Sequence, residues 1–150
     1  NIGTFGVQSL ILITLIQIAC ILKINSQIIF VLPICLFWGR FSNLFLIENF
    51  EYISFKRKSI IHKKYWKGFK KESLISIIFL ALLILFQFIL YFQTEQILIK
   101  NLLLLLIGVF VSYKIPNIIG EKIDGFNGDS CGASIVIVET SMLFIYAIFL

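Results

Sequence analysis

What most constrains this chain is a recurrence of long apolar runs that carry almost no charge. Phe5 to Leu22 is 18 residues without one Asp, Glu, Lys or Arg, the length at which a helix can cross a bilayer core of roughly 30 Å. Ile28 to Ile47 is a second run, interrupted in character by Pro33 and the Gly39–Arg40 pair. Leu74 to Phe92 holds Gln87 as its one strongly polar residue. Ile97 to Ile119 carries Lys100 and Lys114 near its ends, where long side chains snorkel to the headgroups. Ala133 to Leu150 has a single charge, Glu139. None of the runs alternates in polarity, as barrel strands do. The expected fold is all-α, a polytopic transmembrane bundle of about five spanning helices, with residues 1–150 forming one membrane domain.

Composition excludes the main alternatives. At 59% hydrophobic and 14% charged, the chain lies far from the roughly 45–50% and 25% of soluble domains, and its apolar surface is too large for disorder. The three cysteines, Cys20, Cys35 and Cys131, are odd in number and form no CxxC, so neither a disulfide framework nor a zinc site is indicated. The sequence begins at Asn1, its one methionine is Met142, and no signal-peptide pattern is visible in these residues. The expectation is a C-terminal fragment.

The net charge of +5 is unevenly spread, with eight of the 13 basic residues between Lys56 and Lys71. Placing the basic loop 48–73 in the cytosol puts 11 basic residues on that side and leaves Lys23 and Lys100 on the other, as the positive-inside bias requires. Tyr65, Trp66 and Phe69 interleave with the lysines, which fits an anionic leaflet surface; steering of an anionic substrate is a lesser role. His62, the one histidine, has no second imidazole or cysteine near it and reads as interfacial. The segment is too short and too hemmed in by membrane for a nucleic-acid module.

Two features carry chemistry. GFNGDSCGA, Gly125 to Ala133, concentrates glycines that let backbone approach a ligand. Its Asp129 suits a hard cation such as Mg²⁺, and a glycine-rich turn before a helix suits phosphate. The plainer alternative is a tight loop with Asp129 or Ser130 capping the last helix. The second feature is the pair Arg40 and Glu139, expected at similar depths, about 10 Å and 9 Å from the same face. An intramembrane carboxylate costs roughly 2.5–3.5 kcal/mol or more without a partner, so the two either form a buried ion pair or wall a polar cavity. In the cavity, Arg40 grips phosphate, Glu139 holds a metal or a substrate hydroxyl, and Gly39 leaves room for the ligand. Thr14 and Gln17 lie on one face of the first run, placed to hydrogen-bond with neighbouring helices. No P-loop, GxSxG or HExxH pattern occurs.

In their order, IGTFGV (Ile2–Val7), WGRF (Trp38–Phe41), HKKYWKG (His62–Gly68) and GFNGDSCGA with Glu139 resemble the cobalamin synthase family, the adenosylcobinamide-GDP ribazoletransferases. Gly125, Gly128, Asp129, Gly132, Ala133 and Glu139 match its best motif, and Gly39–Arg40 is a second anchor. Asp124 stands where the family often has another glycine, and Asn127 where threonine is common. Ile135 and Val136 replace polar residues. The resemblance implies a membrane phosphotransferase of cobalamin (vitamin B12) biosynthesis in the bacterial inner membrane, with its active face cytosolic. α-Ribazole, or its 5′-phosphate, attacks adenosylcobinamide-GDP and releases GMP. It implies Mg²⁺ as cofactor, with Asp129 and Glu139 toward the metal. Arg40, Gly39, Gly125, Gly128 and Gly132 then lie toward the substrate, and Asp129, Arg40 and Glu139 are the catalytic set. The family's acidic His-x-Asp-Gly-type segment belongs upstream of this region, so the fragment alone is expected to be inactive. Two other classes stand beside this reading: a non-enzymatic transporter or assembly subunit with Arg40–Glu139 as a structural pair, and another metal-dependent membrane phosphotransferase acting on a lipid alcohol.

Overall fold

The computed structural model describes residues 3–53, 66–90 and 95–150. Five α-helices account for most of them: α1 (Thr4–Ile24), α2 (Ile28–Asn49), α3 (Phe69–Leu90), α4 (Glu95–Ile123) and α5 (Gly128–Phe149). No strand occurs among the described residues; Tyr52 and Phe126 form an isolated bridge. Lys56 to Tyr65 of the basic loop, with His62, lie outside the described residues. At the loop's described ends the chain is already helical, Glu48 and Asn49 closing α2 and Phe69 to Ser73 opening α3.

Among the described residues four uninterrupted helical stretches are long and apolar enough to cross a membrane, rather than the five expected. The first two expected runs form one stretch, Thr4–Asn49, because a 3₁₀ turn at Asn25–Gln27 joins α1 directly to α2. Asn25 accomplishes this at φ 55, a left-handed conformation that asparagine tolerates better than most residues. The stretch folds back on itself there. Gln17 and Arg40 would be roughly 34 Å apart on a straight helix, yet they bond to adjacent residues of α5, Thr140 and Glu139. Pro33 does not break α2, which continues through it.

α2 is the hub, packing against α3, α4 and α5, while α1 lies on α5. Glycine and small side chains set the close approaches. Ser42 and Ser134 are hydrogen-bonded at 2.9 Å where α2 crosses α5, and the indole of Trp38 occupies the space a side chain on Gly108 of α4 would need. The largest wholly buried side chains include Val31, Ile34, Leu46, Leu104, Val138 and Met142. By contrast α1 and α3 expose Leu10, Leu12, Leu15, Ile75, Phe79 and Leu82, which is favourable against lipid tails and costly against water.

Polar pairs fix the register of this packing. Gln17 donates to Thr140 at 2.8 Å, Tyr146 donates to Gln27 at 2.9 Å, and Gln87 donates to the Phe30 carbonyl at 3.1 Å. Interhelical hydrogen bonds in membranes contribute about 0.6 kcal/mol each on average. They select a register; the bulk of the cohesion is packing. Thr14, expected to reach a neighbouring helix, bonds instead to the Leu10 carbonyl of its own helix at 2.8 Å.

Candidate active site

The α4–α5 connection is built around two residues with positive φ. Asp124 ends α4 at φ 53 and Gly125 follows at φ 146. A glycine at position 124 would hold this geometry without strain. A β-carbon on Gly125 would lie 2.5 Å from Ile53 Cγ1 and 2.6 Å from the Glu51 carbonyl. Gly125 is therefore buried against the chain leaving α2 and does not face a ligand. Phe126 clamps the same segment, donating its amide to Glu51 and accepting from Ile53, both at 2.8 Å.

The last helix begins at Gly128, five residues earlier than expected from Ala133. Its N-cap is Asn127, whose side chain accepts from the Ser130 amide while Ser130 Oγ accepts from the Asn127 amide, both at 2.8 Å. Asp129 is thus not the cap. It sits exposed in the first turn, where its charge complements the helix dipole. Gly128 and Gly132 flank it on open surface, with nothing within 4 Å of where a β-carbon would stand.

Glu139 and Arg40 meet as expected. Arg40 Nη1 donates to Glu139 Oε1 at 2.7 Å and to the Leu36 carbonyl at 3.0 Å. The two side chains differ in environment, Glu139 being 15% exposed and Arg40 64%. Gly39 fits against the acid, since a β-carbon there would lie 2.5 Å from Glu139 Cγ and 2.8 Å from Oε1. The room that Gly39 was expected to leave for a ligand is taken by Glu139.

Arg40 also lines a chamber of about 610 Å³ between α2 and α3, walled by Pro33, Leu36, Phe37, Phe41 and Phe79. Because its guanidinium reaches Glu139 of α5 while the residue also lines that chamber, Arg40 stands between α3 and α5. No hydrogen bond to its Nη2 or Nε is found among the described residues, so the outer edge of the fork remains free for an anion.

Asp129 is not brought to Arg40. Ten residues separate it from Glu139 on one helix, a rise of about 15 Å, so the two carboxylates cannot share one metal ion. Among the described residues no group of three or more His, Cys, Asp or Glu could hold a metal ion. The register from Ser42–Ser134 to the Tyr52–Phe126 bridge places Asp129 in the same half of the bundle as Arg40, nearer its mouth.

Sequence reasoning did not find the Ser42–Ser134 crossing, the Trp38–Gly108 contact or the stacking of Phe50 on Gly120. The signal was present in part: Gly108 stands alone inside an apolar run.

The sequence profile of the cobalamin-5-phosphate synthase family matches residues 1–147. The chain belongs to this family. An adenosylcobinamide-GDP ribazoletransferase of Prochlorococcus marinus (strain SARG / CCMP1375) is 37% identical over 152 residues, a match that takes in 100% of this chain and 58% of the relative. Proteins of the same name from strains MIT 9313 and MIT 9303 are 31% and 30% identical, over 99% of the chain and 58% of each relative. The chain thus spans somewhat more than half the length of these cobalamin-5-phosphate synthase relatives. No solved structure matches it. Membership agrees with an integral membrane protein built of apolar helices, and the glycine-rich turn and Arg40 fall in the same half of the bundle.

Proposed function

We propose that the protein to which this chain belongs joins adenosylcobinamide-GDP to α-ribazole or its 5′-phosphate in a bacterial inner membrane, with the active face toward the cytosol. In this reaction the oxygen of the ribose 3′-hydroxyl attacks the cobinamide-linked phosphorus and its proton passes to solvent. The bond between that phosphorus and the bridging oxygen breaks, and GMP leaves with the oxygen and its electron pair. Such transfers depend on alignment and on neutralising charge at the phosphoryl oxygens.

The observation that carries the reading is the state of Arg40. Glu139 and the Leu36 carbonyl hold Nη1, Nη2 and Nε have no bond among the described residues, and the same side chain lines a chamber of about 610 Å³. A fork held on one side and open on the other is preorganised to accept phosphoryl oxygens. A purely structural ion pair needs neither the chamber nor the free donors. Phe37, Phe41 and Phe79 give this chamber an apolar wall suited to exclude water from the reacting phosphate.

Asp129 serves the mouth of the site, orienting the acceptor hydroxyl or giving one oxygen to Mg²⁺. Magnesium is commonly held by one or two carboxylates together with substrate phosphates and water, not by an all-protein cage. A lone exposed Asp129 fits that use. Glu139, already paired, does not, and its role is to position Arg40. When bound, the ion supplies charge neutralisation at the phosphates. Gly128 and Gly132 keep the backbone beside Asp129 accessible.

The test is ribazole transfer by the full-length protein in membranes, followed by formation of the cobalamin product and GMP. Arg40→Ala and Asp129→Asn are expected to abolish transfer while the protein accumulates normally; turnover at the unmodified rate in both variants removes the assignment.

A further inference from the structure

On the other flank of α3 from the Arg40 chamber, a cavity of about 650 Å³ opens between α2, the start of α3, and α4, and its rim carries Lys67, Lys70, Lys71 and Tyr113. We propose that this cavity is a binding site for an anionic phospholipid, with the headgroup phosphate held by the three lysines and the acyl chains lying along the seam between α3 and α4. The proposal is independent of the reaction above.

Charge is the first argument. Among the described residues no carboxylate is within ion-pair distance of Lys67, Lys70 or Lys71. The acid on the cavity wall, Glu48, accepts a hydrogen bond from Trp66 Nε1 at 2.8 Å, which pins the lysine-bearing segment to the end of α2. The Gly68 carbonyl accepts from the amides of Lys71 and Glu72. The amides of Phe69 and Lys70 therefore open the helix without intrahelical acceptors, adding a partial positive charge to the same rim.

Depth is the second. The uncharged run of α3 begins at Leu74, so the lysines fall within two turns of it, at headgroup level beside the interfacial Trp66. Headgroup phosphates of the bilayer lie at this height. The third argument is the seam itself. Although consecutive in sequence, α3 and α4 scarcely touch. A second gap of about 170 Å³, walled by Ile84, Phe88, Leu98 and Leu102, opens at the opposite end of the same seam, about 20 Å along α3 from Lys71. Two helices that stand apart along an apolar seam, with lysines that meet no carboxylate among the described residues at its interfacial end, match an anionic lipid in charge and depth.

The experiment compares retention of phosphatidylglycerol and phosphatidylcholine by the full-length protein in mild detergent, read by native mass spectrometry. Phosphatidylglycerol is expected to bind at least tenfold more tightly. Lys67→Gln, Lys70→Gln and Lys71→Gln each weaken it about fivefold, the equivalent of about 1 kcal/mol per lysine, and the three arginine substitutions together retain it. Lys114→Gln with Lys122→Gln, which removes charge elsewhere on the same half of the protein, leaves the preference intact. Equal retention of the two lipids, or equal loss in the Lys114/Lys122 control, overturns the proposal. Displacement of the lipid by millimolar inorganic phosphate or GMP also overturns it, by assigning the cavity to a soluble phosphate.

Discussion

Gly39 and Glu139 are in direct apposition across the α2–α5 interface: the acid's Cγ lies 2.5 Å from the point where a β-carbon on Gly39 would stand. Gly39→Ala therefore displaces Glu139, and with it the clamp on Arg40. We expect a loss of about 1–3 kcal/mol, the range for forcing a methyl into a packed interface, seen as a lower Tm in detergent. Transfer should fall more steeply than stability, because the fork loses its orientation.

Arg40 and Glu139 can be separated into structural and chemical partners by a double-mutant cycle. Glu139→Gln, Arg40→Gln and the double variant are expected to show a coupling of about 1 kcal/mol in stability, in the usual range for contacting pairs. Activity should follow a different pattern. Removing both charges repairs the unpaired acid but leaves no guanidinium, so the double variant folds and stays inactive. Recovery of ribazole transfer in the double variant would reduce the pair to a structural role.

Asp129 is exposed and has no hydrogen-bond or ion-pair partner among the described residues. Asp129→Asn should change stability by no more than about 1 kcal/mol, the scale of a charge in a helix's first turn, and eliminate transfer. Thermal melts and product formation measured on the same preparation check both halves of the statement.

The α4–α5 turn predicts opposite outcomes at neighbouring positions. Asp124→Gly relieves a left-handed residue at φ 53 and is expected to be neutral or to stabilise slightly. Gly125→Ala meets Ile53 and the Glu51 carbonyl while keeping a φ of 146. It should destabilise by about 2 kcal/mol or more, on the order of overpacking and backbone strain combined. Asn127→Ala, which removes the cap, should cost about 1 kcal/mol. Thermal melts of the three variants in detergent check the order.

The meeting of Arg40 and Glu139 was legible because both interrupt apolar runs and each needs an opposite charge at its own depth. The position of Asp129 was not. Placing the helix start at Ala133 left Asp129 in a loop free to approach Arg40, whereas Asn127 and Ser130 cap the helix earlier and carry Asp129 onto its first turn. Capping is decided by backbone geometry over four residues, and a glycine-rich stretch rich in Asn, Asp and Ser offers several starts of nearly equal energy.

By itself the sequence determined that the chain is a membrane-embedded helical bundle, because uncharged runs of this length leave their backbone polar groups no other way to be satisfied in lipid. It also pointed to Arg40 and Glu139 as partners, since a charge within such a run needs an opposite one at its own depth. Only the tertiary structure decided that the first two runs join through a 3₁₀ turn, that Gly39 makes room for Glu139 and not for a ligand, and that Arg40 opens on one flank of α3 while the lysines open on the other. Helix packing in lipid depends on the fit of small side chains between facing surfaces, and that fit is a property of pairs of helices, which no single run of residues contains.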